Sequence, residues 1–297
     1  MAHLWLLNFD AEEELAKPSA PRTIPALDEK RAALALAVAD LLAPGDVYFG
    51  DTLPAGNRHI GMAWMMTDRA RTLLRSHGVL PVDAPRMEVL KHANSRQFSF
   101  GLGLGLPGAS YVRHMGELET AIENPSIGSG WLCKRPFGFA GRGRQRLDMG
   151  SLKNAARSWC ESALRDGPGL EVVPYVHVLA EFGLHGYLAA DGTLTRGEPT
   201  ALESDRKGQW VSSRLATLDE LSHNERTALI AAFDVVAPAL TRTGYFGPFG
   251  IDAFRYKDVA GVEGFCALSE VNARYTMGWA KGMQERRPDL DAVPLSV

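Results

Sequence analysis

The chain has 297 residues, 45% of them hydrophobic, and a formal net charge of -3. That is enough apolar material for a large core, and the length suggests about two domains. The charge gives no reason to expect a nucleic-acid partner, no run of about 18 apolar residues marks a membrane span, and three scattered cysteines (Cys133, Cys160, Cys266) form neither a disulfide framework nor a zinc pattern. A reducing, cytoplasmic setting is the expectation.

Residues 1–90 read as a small α/β unit. Leu4 to Phe9 is an apolar run without a basic leader, and acids follow at once (Asp10, Glu12, Glu13, Glu14), so a buried strand is expected rather than a signal peptide. Asp28 caps an Ala- and Leu-rich helix through Leu42, which Pro44-Gly45 stops. Val47 to Phe49 is a short strand, Thr67 caps a second helix ending at His77-Gly78, and Pro81 to Pro85 reads as a linker.

The remainder, 91–297, changes character. Asn94-Ser95-Arg96 stands at a helix start, and Trp131 to Lys134 is a strand followed by a Gly- and Arg-rich loop. Gly150-Ser151 precedes an amphipathic helix to about Leu164, and Val172-Val173 begins another strand. Leu179 to Ala190 is a strand that turns at Asp191-Gly192, and Glu220 to Leu240 is the longest helix candidate.

The most telling stretch is Gly250 to Tyr256 followed by Leu268 to Arg274. Taken as an antiparallel hairpin with its loop near Gly261, it sets Asp252 opposite Glu270 and Gly250 opposite Asn272. Side chains two apart share a strand face, so Asp252, Glu270 and Asn272 project together. Like charges across a ladder destabilise it, and a divalent cation between them removes that penalty. Two carboxylates and an amide are hard ligands suited to Mg²⁺. The bland reading is a solvated strand face; Phe254, Phe265 and Leu268 argue against it.

Lys134 to Arg146 holds five cations and no acid in a chain that is net negative. Its glycines let the backbone approach an anion and aim N–H groups at it. It is not a P-loop, since no Gly-Lys-Ser/Thr follows. A surface loop and a nucleic-acid patch are the alternatives, but acids elsewhere that suit a metal make a polyphosphate nucleotide the more economical partner. Gly101 to Gly108 also carries alternate glycines, yet it joins no strand to a helix as a dinucleotide fingerprint would.

Taken in order, these residues resemble the ATP-grasp superfamily over about two thirds of the chain: Asn94-Ser95-Arg96, Lys134 with its Gly-rich loop, Val173-Pro174-Tyr175-Val176, Glu181, Asp252, and Glu270-Val271-Asn272-Ala273-Arg274. The resemblance implies an α+β fold in which two subdomains, about 91–175 and 176–297, sandwich ATP behind a small α/β pre-ATP-grasp domain. It implies that Arg96 and Lys134 bind phosphates, with Arg96 standing where Lys is usual, and that Gly138, Ala140, Gly141 and Gly143 form a flap. Backbone groups of Tyr175 and Val176 would meet the adenine, although the acid usual at Val173 is missing and Glu171 stands two residues earlier. Glu181 would lie near the ribose, and Asp252, Glu270 and Asn272 would hold one or two Mg²⁺ (or Mn²⁺) ions. Arg274, with Lys134, would act on the transferred phosphoryl group. The reaction implied is ligation of a small-molecule or peptide carboxylate to an amine through an acyl phosphate. A phosphotransferase and a non-catalytic nucleotide-binding regulator are the other readings, and a homodimer is common in such proteins.

For the substrate carboxylate, Arg214 is preferred to Arg255, because strand alternation turns Arg255 away from Asp252. His59, His177 and His185 read as packed or exposed residues rather than bases, and Trp64, Trp159 and Trp279 as core.

Overall fold

The computed structural model describes residues 2–17, 31–52, 59–123, 126–138, 143–150, 152–204 and 210–291. Asp28, Ala140 and Gly141 lie outside the described residues. Three sheets follow one another along the chain.

The first sheet is parallel and contains β1 (Ala2–Leu6), β2 (Val47–Tyr48), β3 (His59–Ala63) and β4 (Leu80–Pro81), in the order β2-β1-β3-β4. Leu4, Trp5 and Leu6 of β1 are all buried, as expected of a parallel strand covered on both faces. The helix expected over 28–42 is described as Arg31–Ala37 and a 3₁₀ turn Ala39–Leu41. Helix Asp68–Ser76 starts where Thr67 Oγ1 accepts the Ala70 N–H at 3.2 Å and stops at His77. The supposed linker at Pro81 is partly strand, because β4 pairs there with β3.

The second sheet is antiparallel: β5 (Ser110–Val112), β6 (Gly130–Lys134), β7 (Arg144–Asp148) and β8 (Leu170–Pro174), in the order β5-β8-β6-β7. Alternation divides it cleanly. Trp131, Cys133, Leu170 and Val172 pack under helices Met115–Glu123 and Asn154–Asp166, while Leu132, Lys134, Glu171 and Val173 turn to the other face.

The third sheet, also antiparallel, holds β9 (His177–Leu188), β10 (Leu194–Arg196), β11 (Thr200–Ser204), β12 (Trp210–Leu215), β13 (Gly247–Lys257) and β14 (Glu263–Asn272). Its path is β12-β11-β9-β13-β14, with β10 on β9. Helix His223–Arg242 covers one face through Leu229, Phe233, Val236 and Leu240, and Phe233 stacks on Phe249 at 4.8 Å. A capping box of Ser222 and Glu225 starts that helix, three residues later than the sequence suggests. The β13–β14 register pairs Gly250 with Asn272 and Asp252 with Glu270, as the hairpin reading requires. A bulge between Asp252 and Phe254 then sets Phe254 opposite Cys266.

Among the described residues no helix is long and apolar enough to cross a membrane, and the three cysteines are buried and free.

Candidate active site

A cavity of about 1620 Å³ opens between the inner faces of the second and third sheets and reaches the first. Its two main walls carry opposite charge.

The basic wall comes from β6, β7 and helix Arg96–Gly101. Lys134 Nζ lies 3.0 Å from Glu171 Oε2, on the neighbouring strand. The Arg96 helix begins at Ser95, whose Oγ accepts the Phe98 N–H at 3.1 Å. The Arg96 backbone N–H donates to Pro136 O at 3.0 Å, tying that helix to the loop after β6. Its guanidinium spans both walls, 3.9 Å from Glu171 and 3.1 Å from Glu270. Burial opposes its charge, but Glu270 and Glu171 outweigh burial and hold Arg96 protonated. Asn94 anchors the same helix to the end of β14: its Oδ1 accepts the Ala273 N–H at 2.9 Å. Gly138 and Gly143 flank the loop after β6, and the Arg135 N–H donates to Gly143 O at 2.8 Å. Arg146 lies 4.1 Å over the Tyr175 ring.

The acidic wall comes from β13 and β14. Asp252, Glu270 and Asn272 line the cavity together, and Asn272 Nδ2 donates to Asp252 Oδ2 at 2.8 Å. Burial, reinforced by Glu270, pushes the Asp252 carboxyl up to about 7. A carboxyl so short of positive charge suits a divalent cation, which would answer both Asp252 and Glu270. Among the described residues no three His, Cys, Asp or Glu cluster as a metal cage. What the wall does bring together is two carboxylates and the Asn272 amide, oxygen donors of the kind Mg²⁺ accepts. Glu181 lines the same wall from β9, opposite Phe254 and Leu202.

Arg274 borders the cavity at the first sheet. Its Nε donates to Glu12 Oε1 at 2.5 Å, its Nη1 to Tyr275 O at 2.9 Å, and its Cζ lies 5.9 Å from the Trp64 ring centre. Burial raises the Glu12 carboxyl, and Arg274 only partly offsets it.

One expectation needs correction. Arg214 is not in the cavity lining: it sits exposed on β12, where its Nη1 donates to Glu220 Oε2 at 2.6 Å. Tyr175 and Val176 both line the cavity; the Tyr175 N–H donates to Gly130 O at 2.8 Å and its C=O accepts the Ser129 N–H at 2.9 Å. Arg255 does face away from Asp252, with its Nε 2.6 Å from Glu225 Oε1 under the long helix. His185 is a packed core residue between Thr200 and Thr276 at 2.9 and 3.0 Å, and burial lowers it to about 3. Trp64 and Trp279 are core, whereas Trp159 is half-buried beneath Arg135. Gly101 to Gly108 is a loop after a helix and joins no strand to a helix.

Glu171, Glu12 and Arg146 have roles here that sequence reading did not give them. Glu171 carries a signal, an acid inside an otherwise apolar strand. Glu12 carries none, because its partner lies 262 residues away.

No family model matches the chain, and no curated protein matches it in sequence. Solved structures do. Biotin carboxylase from Campylobacter jejuni in a β,γ-ATP complex superposes at TM-score 0.54 with 14% identity over 94% of this chain and 65% of its own. The biotin carboxylase domain dimer of Hydrogenobacter thermophilus 2-oxoglutarate carboxylase, with MgADP and bicarbonate, gives 0.51 with 17% identity over 84% and 51%. D-alanine–D-alanine ligase from Bacillus anthracis gives 0.51 with 11% identity over 93% and 87%. This chain thus spans about two thirds and about half of the two carboxylase chains. What these likenesses share is architecture: the chain has the ATP-grasp fold.

Proposed function

We propose that the chain is an ATP- and Mg²⁺-dependent ligase that joins a carboxylate to an amine or similar nucleophile. The observation that carries this reading is the pairing of walls: Lys134 and Arg96 on one side, Asp252, Glu270 and Asn272 on the other, bridged by the Arg96–Glu270 contact at 3.1 Å.

Lys134 and Arg96 would take phosphate oxygens, and the Gly138 to Gly143 flap, including Ala140 and Gly141, would lie over them. The adenine would enter the apolar slot where Leu132, Val173 and Phe254 meet between the sheets, with Val176 at its edge and Glu181 toward the ribose. Asp252, Glu270 and Asn272 would hold Mg²⁺, which supplies charge neutralisation of the polyphosphate when bound. Arg274, fixed by Glu12, faces the position where the γ-phosphoryl group is transferred.

A carboxylate oxygen attacks the γ-phosphorus, the bond from that phosphorus to the bridging oxygen breaks, and ADP leaves with the electron pair. The amine then attacks the acyl carbon, phosphate departs and the amine gives up its proton. Little of this is side-chain covalent chemistry, so positioning and charge placement are what the two walls contribute.

The test is product analysis. Mass spectrometry of incubations with ATP, Mg²⁺ and paired acids and amines should show an amide beside ADP and phosphate. A stable phosphorylated product in its place identifies a phosphotransferase. Nucleotide binding without turnover for any pair identifies a regulator.

A further inference from the structure

The end of the cavity closed by the first sheet differs from the rest. In the order β2-β1-β3-β4 the chain leaves β1 toward one edge and β3 toward the other, so the topological switch point falls between β1 and β3. Open α/β sheets receive ligands there, beyond the carboxyl ends of the strands. Just past those ends stand Phe9 and Trp64, packed edge to face at 4.9 Å and both lining the cavity. Half-buried Leu34 and Met277 line it as well and pack on the same apolar core.

Polar groups are sparse at this end. Trp64 Nε1 is a buried donor with no hydrogen-bond partner. Arg274 is the cation beside it, and Glu12 already answers part of its charge. The other cations lining the cavity among the described residues, Arg96, Lys134, Arg144 and Arg146, belong to the Arg96 helix and the second sheet.

We propose that this end is an acceptor pocket for a monocarboxylic acid with an apolar body, aliphatic or aromatic. The carboxylate faces Arg274 and the Trp64 N–H, and the body lies against Leu34 and Met277 over Phe9 and Trp64. Among the described residues no further cation stands at this end, so a second carboxylate or a phosphate on the acid would be desolvated among apolar side chains, and Glu12 would repel it. The proposal rests on the ligase reading, because it names the acid that reading leaves open.

The experiment measures acid-dependent ADP release from Mg-ATP across straight-chain monocarboxylates, phenylacetate, dicarboxylates, bicarbonate and phosphorylated acids, alongside calorimetric titration of octanoate and phenylacetate. KM should fall about three- to fourfold per added methylene until the pocket is full. Met277→Gln and, separately, Leu34→Gln should each raise KM for the longer acids about three- to tenfold, with KM for ATP unmoved. Two variants on different segments guard against one failing to fold. Turnover that prefers bicarbonate, dicarboxylates or phosphorylated acids, or a KM flat along the series, overturns the pocket while leaving the ligase reading intact. If no acid releases ADP, the ligase reading fails. Calorimetry then decides the pocket alone: binding of the apolar acids keeps it and absence of binding ends it.

Discussion

The two walls of the cavity are built from unlike material. The acidic wall stands on β13 and β14, 11 and 10 residues long, with β9 beside them and the long helix behind. Asp252, Glu270 and Asn272 are held by ladder register, so their relative placement follows from backbone pairing. The basic wall is shorter, a pair of five-residue strands, β6 and β7, with the six-residue Arg96 helix beside them, and its charges reach into the cavity on long side chains. Lys134 and Arg96 share Glu171, an acid on the neighbouring strand β8. On the proposed ligase reading this amounts to a division of labour: the rigid wall would set where a metal sits, and the adaptable wall would adjust to the polyphosphate.

The strongest way to break that division is to remove the rigid wall's charge. Asp252→Asn combined with Glu270→Gln should lower Mg²⁺-dependent ATP turnover by about 10³-fold or more, since metal charge stabilisation is worth several kcal/mol. Coupled ADP release measures it, and turnover within tenfold of the parent places the metal elsewhere. Lys134→Ala should do less, weakening ATP about 10- to 100-fold, the range of one charge-assisted hydrogen bond. Calorimetry with a non-hydrolysable analogue reads this, and unchanged affinity moves the phosphate site off β6.

The uneven walls also explain which parts of the site were legible in the sequence. Strand alternation alone placed Asp252, Glu270 and Asn272 on one face and turned Arg255 away, and the register matched at Asp252 and Glu270. Beyond the bulge the simple pairing fails, because β14 advances four residues there while β13 advances two, and such an irregularity leaves no mark in composition. Arg214 was misjudged because alternation says which face a side chain takes and nothing of what competes for it; Glu220, six residues on, captures it. The backbone bonds of Tyr175 to Ser129 and Gly130 were equally illegible, because no local pattern reveals such distant partners. Glu12 is the extreme case, since only the folded chain brings it to Arg274.

A smaller effect tests whether the acidic wall is strained for want of a cation. The folded Asp252 pKa of about 7 lies above the ordinary unfolded value of about 3.9. Between those values the folded chain keeps a proton that the unfolded chain has lost. Stability from this group is therefore present below about pH 4 and lost as pH rises through about 7. Mg²⁺ binds the ionised carboxylate and should restore what is lost. The expected result is a Mg²⁺-induced rise in Tm that is larger at pH 8 than at pH 6. In Asp252→Asn the contrast between the two pH values should shrink. An equal Mg²⁺ effect at both pH values in the parent protein would separate Asp252 from the metal.

The smallest expected effect belongs to Arg214, and it sharpens the comparison from outside the cavity. Arg214, on the edge strand β12, forms an exposed ion pair with Glu220 in the turn that follows, where solvent screens the charges and two long side chains lose freedom to meet. Neither reaches the cavity lining. Arg214→Ala should change turnover and the KM for any acid less than about twofold, within the range of surface substitutions. Steady-state kinetics with an accepted acid decides it. A selective rise in that acid's KM would mean that β12 folds over the cavity when substrate is bound. The acid would then be held by a charge on an edge strand, and the apolar end at Phe9 and Trp64 would no longer account for acid selectivity on its own.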